Sequence, residues 1–281
     1  MFRIDDATAA TSLPTPEAAG TEGYFTEGNP TAGVPATNVR GSWLNMIQEE
    51  LRAVVVAGGL TPSKTTYNQL LLALRAMFIG RVKRTVFTAS GTYTPSAGLL
   101  YAEVEVIGAG GGGATGSSSN AAGGGAAGAY CKAILSAATI GASQTVTVGA
   151  GGAAGAAAGN GGSGGSPSSF GSLIVCGGGS GGSLTASTPT IGQPSGGGSV
   201  TTSPAGSIAV SGAFGRYGFG SSSVAVGGDG ASTIYSSGAN GAGTGAGSTG
   251  SGFGGGGGGS HTNTGGVGRP GVVIVTEYLS Q

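Results

Sequence analysis

Glycine is the feature that most limits what this chain can become. Of its 65 glycines, 55 lie from residue 107 onward, nearly one residue in three, and ten lie before it. Backbone without Cβ atoms loses the most entropy on ordering, so such a stretch stays disordered unless its architecture makes use of bare backbone. Collagen is excluded, because it needs glycine strictly at every third position and "GAGGAAGAAAGNGGSGG" (149–165) has no such register. Disorder is disfavoured too, since the chain returns to a well-formed strand in "GVVIVTEY" (271–278). The remaining solution is a set of extended glycine segments lying side by side and satisfying one another's N–H and C=O groups.

Charge runs the opposite way. Between Val106 and Thr276 only Lys132, Arg216, Asp229 and Arg269 ionise at neutral pH, apart from His261, and the chain as a whole has a formal net charge of zero. The small basic cluster Arg81, Lys83 and Arg84 reads as a solvated face, so no nucleic-acid partner is expected. Arg3, Asp5 and Asp6 interrupt any secretory signal, and Arg75 breaks "LLLALRAMFIG" far below the ~18–20 apolar residues of a membrane span. No membrane insertion is expected. Cys131 and Cys176 are isolated in strand-like segments without metal-ligand spacing; they read as buried thiols, with pairing left open.

Four stretches follow in order. Residues 1–40, with Pro14, Pro16, Pro30 and Pro35, read as an extended arm that must lie on a partner to be ordered. Residues 41–80 read as a helical hairpin. Its first helix is capped by Ser42, carries Leu44, Ile47, Leu51, Val54 and Val55, and stops at Gly58-Gly59; its second starts at Pro62-Ser63, carries Leu70, Leu71, Leu74, Met77 and Phe78, and ends at Gly80. Two helices cannot bury both apolar stripes, so another copy or another protein is expected against them. Residues 81–100 read as a connector.

Residues 101–281 read as a glycine-rich β domain. Strands are expected at 101–107, 129–136, 144–148, 172–176, 208–210, 224–226 and 272–278. The first runs into glycine and the last emerges from glycine, so an antiparallel pairing puts their glycine ends at one pole. The fold class is therefore mainly β: arm and hairpin, then a β-sandwich-like domain with polyglycine-II-like loops projecting from its distal end.

The start of the chain, "FRIDDATAATSLPTPEAAGTEGYFTEGNP" followed by "SWLNMIQEELRAVVVAGGLTPSKTTYNQLLLAL", resembles the N-termini of tail fibre proteins of tailed bacteriophages and prophages. "FTASGTYTPSAGLLYAEVEVIGAGGGG", "TVTVGAGG", "SSFGSLIVCGGG" and "GRPGVVIVTEY" are similar to the glycine-rich, receptor-binding tip of such fibres. The resemblance implies a virion protein made in the bacterial cytoplasm, a homotrimer, attached to the tail or baseplate by its N-terminal part. Its tip would recognise the bacterial surface: lipopolysaccharide, an outer-membrane protein or a pilus. Trp43, Leu44, Ile47, Leu51, Leu70, Leu74 and Phe78 are the candidates for attachment and trimerisation. Little room is left between Phe78 and Tyr101 for a long shaft.

Catalytic chemistry finds little support. Gly108-x-Gly110-x-x-Gly113 has dinucleotide-fingerprint spacing, but no helical stripe follows and no Asp or Glu occurs between Glu105 and Asp229, so no cofactor is expected. Glu103 and Glu105 share one strand face and read as solvated rather than as a hydrolytic pair. A tail-borne polysaccharide depolymerase and a structural polyglycine-helix protein are the rival readings. Receptor contact falls to the few large side chains among the glycines: Phe214, Arg216, Tyr217, Phe219, Tyr235, Phe253 and His261, some of which must instead anchor the loops. His261 is read as an exposed distal residue; a metal on a trimer axis is the alternative left open for it.

Overall fold

The structure, a computed structural model, describes residues 1–78, 82–117, 120–156, 159–186, 190–191, 195–221 and 225–280. By its internal contacts the chain divides into two units, Met1–Arg81 and Val82–Ser280. Gly80, Arg81 and Val224, each named in the sequence analysis, lie outside the described residues.

In the first unit, helix α1 spans Gly41–Ala57 and helix α2 spans Gln69–Phe78. Ser42 is not the N-cap: Arg40 occupies that position without a side-chain cap bond, and the Ser42 hydroxyl donates to Glu17 at 2.8 Å. Gly58 and Gly59, the latter at φ 73°, end α1. A Cβ on Gly58 would overlap Ala73, so glycine lets the helices approach where Val55 and Ala73 are fully buried.

The second helix begins later than Pro62-Ser63. The Ser63 hydroxyl is taken up by Thr65 and Thr66. The Gln69 side chain accepts from Ser63 N–H at 2.9 Å and donates to Thr61 C=O at 2.8 Å. Local side-chain bonds thus replace the first helical turn. The arm runs along its own hairpin. Arg3 pairs with Glu49 (2.7 Å), Asp5 with Lys64 (2.6 Å), and Phe25 meets Trp43 edge-on at 4.9 Å.

The second unit is built on two five-stranded antiparallel sheets. In chain order its strands are β1 Val82–Phe87, β2 Gly91–Tyr93, β3 Leu99–Ile107, β4 Asn120–Ala122, β5 Tyr130–Ser136, β6 Gln144–Thr147 and β7 Ser168–Phe170. There follow β8 Ile174–Cys176, β9 Leu184–Ala186, β10 Thr190–Ile191, β11 Val200–Thr202, β12 Ile208–Val210, β13 Phe219–Gly220, β14 Ala225–Val226 and β15 Val272–Leu279. One sheet has the order β1-β15-β3-β5-β12, the other β11-β8-β7-β6-β2. β3 and β15 pair antiparallel with Val272 opposite Ile107, so their glycine ends do meet at one pole.

Alternation on these strands turns Val104, Val106, Cys131, Leu135, Val273 and Val275 inward from the first sheet. Tyr93, Val146, Phe170, Ile174 and Cys176 meet them from the second, and all are buried in one core. Both cysteines are free thiols there, raised in pKa by burial. The stretch read as a connector holds two strands. β1 completes the edge beside β15, and the alternation of "RTVF" together with the Gly91–Tyr93 pairing to β6 accounts for both.

The same alternation places Glu277 on the inner face, 1% exposed. Its carboxylate accepts from the Tyr93 phenol (2.8 Å), Ser96 N–H (2.7 Å) and the Ser96 hydroxyl (2.8 Å), with Lys83 at 3.5 Å. Burial pushes its pKa up, but the Ser96 and Tyr93 bonds and the Lys83 charge outweigh that and hold it below the ordinary glutamate value. A depressed folded-state pKa contributes stability that is complete above the unfolded value and is lost as pH falls through the folded one. Thermal melts should therefore show stability declining below about pH 4 in the wild type. Glu277→Ala should cost about 3 kcal/mol at neutral pH, with a flatter acid limb; an unchanged acid limb would remove Glu277 from this role.

Candidate functional site

Beyond the sandwich the glycine segments form their own lattice, and its rule is a period of three. From β3 onward, Gly108, Gly111 and Ala114 donate to the carbonyls of Ala129, Ala126 and Gly123. Ala109, Gly112 and Thr115 donate to Ser166, Ser163 and Asn160, while Gly110 and Gly113 donate to Arg269 and Gly266. In return the segment accepts from Gly179 and Gly182, from Gly152 and Gly155, and from Gly257 and Ser260, all within 2.8–3.1 Å. Residues 108–116 are thus enclosed by six neighbouring segments, three antiparallel and three parallel, and every one of them is buried. Residues 123–129 obey the same rule, donating in threes toward 177–183, 213–216 and 254–257. These segments belong to no strand.

Residues 211–218, "SGAFGRYG", lie at the edge of this lattice. Gly212, Gly215 and Gly218 turn inward, where a Cβ on each would overlap the carbonyl of Ala127, Gly124 or Ala122. The residues between them must therefore point outward. Phe214 is 70% exposed, Tyr217 58% and Phe219 43%, and Arg216 stands beside them. The neighbouring segment contributes Asp229, whose carbonyl accepts from Arg216 N–H at 2.9 Å. One oxygen of the Asp229 carboxylate accepts from Gly241 N–H at 2.9 Å.

Two open cavities follow this flank. One of about 420 Å³ is lined by Arg216, Tyr217, Phe219, Val226 and Asp229. The other, of about 380 Å³, is lined by Phe214, Arg216, Asp229, Ser232 and Asn240. They share Arg216 and Asp229. Asp229 is not among the site residues expected from the sequence; its signal there is that it is the one acid between Glu105 and Glu277.

The structure separates the other candidates from this flank. Tyr235 and Phe253 lie at the sandwich end of the lattice. Phe253 packs on Ile107, Val272 and Ile274. Tyr235 and Tyr130 donate to one oxygen of Glu105 at 2.7 and 3.0 Å; burial, then these bonds, raise both phenols. Glu103 pairs with Lys132 at 2.9 Å. Both carboxylates on the strand face are thus engaged. His261 lies at the distal end, half-buried, with Nδ1 3.2 Å from the Asn120 carbonyl. Among the described residues no group of three or more His, Cys, Asp or Glu is placed to hold a metal.

In the first unit, Trp43, Leu44, Leu70 and Leu74 are exposed, together with Leu71 and Leu72, while Ile47 and Leu51 are half-buried. The Phe78 side chain lies outside the described residues. None of the described helices is long and apolar enough to cross a membrane.

A family model described as a glycine-rich domain matches residues 85–278, well over half of the chain. The chain is also similar to the uncharacterized protein StfP of Escherichia coli (strain K12), 44% identical over 81 residues. That match covers 29% of this chain and 37% of StfP.

The lattice makes a sharp prediction. A side chain on Gly256 would meet the Gly125 carbonyl, whereas Gly245 has open space. Gly256→Val should lower stability by about 3 kcal/mol or more, and Gly245→Ala by less than about 1. Calorimetry showing equal melting temperatures for the two would contradict the packing described here.

Proposed function

The chain belongs to the glycine-rich domain family, and from that premise we propose that it is a phage or prophage tail fibre whose glycine-rich part binds the host surface. Its first unit attaches it to the tail or baseplate, and the working particle is a homotrimer carried on the virion. The observation that carries this reading is the edge segment 211–218. It holds aromatic and charged side chains outward on a segment that the Gly212, Gly215 and Arg216 N–H groups and the Ala213 and Arg216 carbonyls bond to the lattice. The match to StfP is compatible with a prophage origin.

The lattice is read here as a bundle of polyglycine-II-like helices, which have three residues per turn and bond laterally rather than internally. The threefold donor pattern of 108–116 supports this. The exposed leucines of α2 support a role in assembly: a helix apolar on several faces is one that an assembly covers. No hydrolytic step is included, since Glu103 is held by Lys132 and Glu105 by two phenols. Adsorption would gain strength from several copies of a weak site.

Two measurements test the reading. Light scattering on the purified chain should give three times the monomer mass. In particles assembled with a chain lacking residues 1–80, the fibre should be absent while the expressed remainder still melts cooperatively. Normal incorporation of the truncated chain would overturn the assignment of attachment to the first unit, and failure of the full chain to bind any bacterial cell would overturn adsorption.

A further inference from the structure

We infer that the flank formed by Phe214, Arg216, Tyr217, Phe219 and Asp229 binds an extended, largely uncharged polysaccharide lying along the segment axis. The inference rests on the adsorption reading and names the ligand class. With a residue repeat of three, positions i and i+3 fall in one row, about 9 Å apart at about 3.1 Å per residue. Phe214 and Tyr217 form one such row, and Arg216 and Phe219 line the cavity beside Tyr217. That spacing is close to the length of two pyranose units in an extended chain. The two cavities meet at Arg216 and Asp229, which suits consecutive subsites on one polymer.

The chemistry points the same way. Exposed aromatic rings take the C–H faces of sugars, while a guanidinium and a carboxylate take their hydroxyls. Among the described residues the Arg216 guanidinium has no side-chain partner, and the Asp229 carboxylate accepts a single N–H, so both have hydrogen-bonding capacity to spare. One cation beside one anion gives no net field to select a polyanion. A peptide adding as a strand would need free backbone edges. The N–H groups of Gly215, Arg216 and Gly227 are instead bonded to Ser195, Asp229 and Ala242, so the flank has no continuous free edge for a strand to pair with.

Labelled full-length protein should be applied to a panel of enterobacterial cells left untreated, oxidised with periodate to destroy vicinal diols, or shaved with trypsin. Binding should disappear after periodate and survive trypsin. Tyr217→Ala and Phe219→Ala should each weaken binding about tenfold or more. Tyr217→Phe, which keeps the ring, should stay within about threefold, and all variants should match the wild-type melting temperature. Binding that survives periodate, falls to trypsin, or ignores the ring deletions would defeat the polysaccharide assignment and leave adsorption standing. Absence of binding to every untreated cell would defeat both.

Discussion

Everything in the second unit depends on backbone amides bonding sideways to other backbone amides. A segment enclosed by six others has room only for small side chains, and from 109 to 115 every buried N–H and C=O has a backbone partner. That arrangement replaces the apolar core that the composition does not supply. It also explains why the sandwich is needed. β3 and β15 deliver their glycine runs to one pole in fixed register, and the small core of Val104, Val106, Phe170, Ile174 and their neighbours fixes where the lattice begins.

The junction between the two layers uses polar side chains. Glu105 faces the lattice and collects two phenols, one from the β5 strand and one from the turn at Tyr235. Glu277 sits at the other end of the same sheet and ties the connection before β3 through Ser96. Two of the chain's few carboxylates thus brace the sheet from opposite faces. Buried charge of this kind is tolerable because each carboxylate has specific donors, on both oxygens of Glu277 and on one oxygen of Glu105.

Much of this was legible in the sequence. The strands at 101–107, 208–210 and 272–278 stood out by alternation, and the shared glycine pole followed from the order of strand and glycine. Other parts were hidden for physical reasons. β1 and β2 are short edge strands whose pairing partners lie far along the chain. The start of α2 was displaced by side-chain bonds that compete with the helix. The threefold repeat is inconspicuous in the sequence because it runs for only two or three turns. Gly149, Gly152 and Gly155 keep it, yet segments enclosed on all sides need small residues at every position and mask the register. Of the aromatic candidates, composition alone could not tell Phe219, which is displayed, from Phe253, which is packed.

The edge segment 211–218 carries a consequence for how such a surface changes over generations. Inheritance there is divided by position: the glycines at 212, 215 and 218 are pressed against the lattice, while the side chains between them are exposed. Substitutions at those outward positions can be sampled without renegotiating the backbone. The surface that this segment presents can therefore be redrawn one letter at a time, with the scaffold inherited intact.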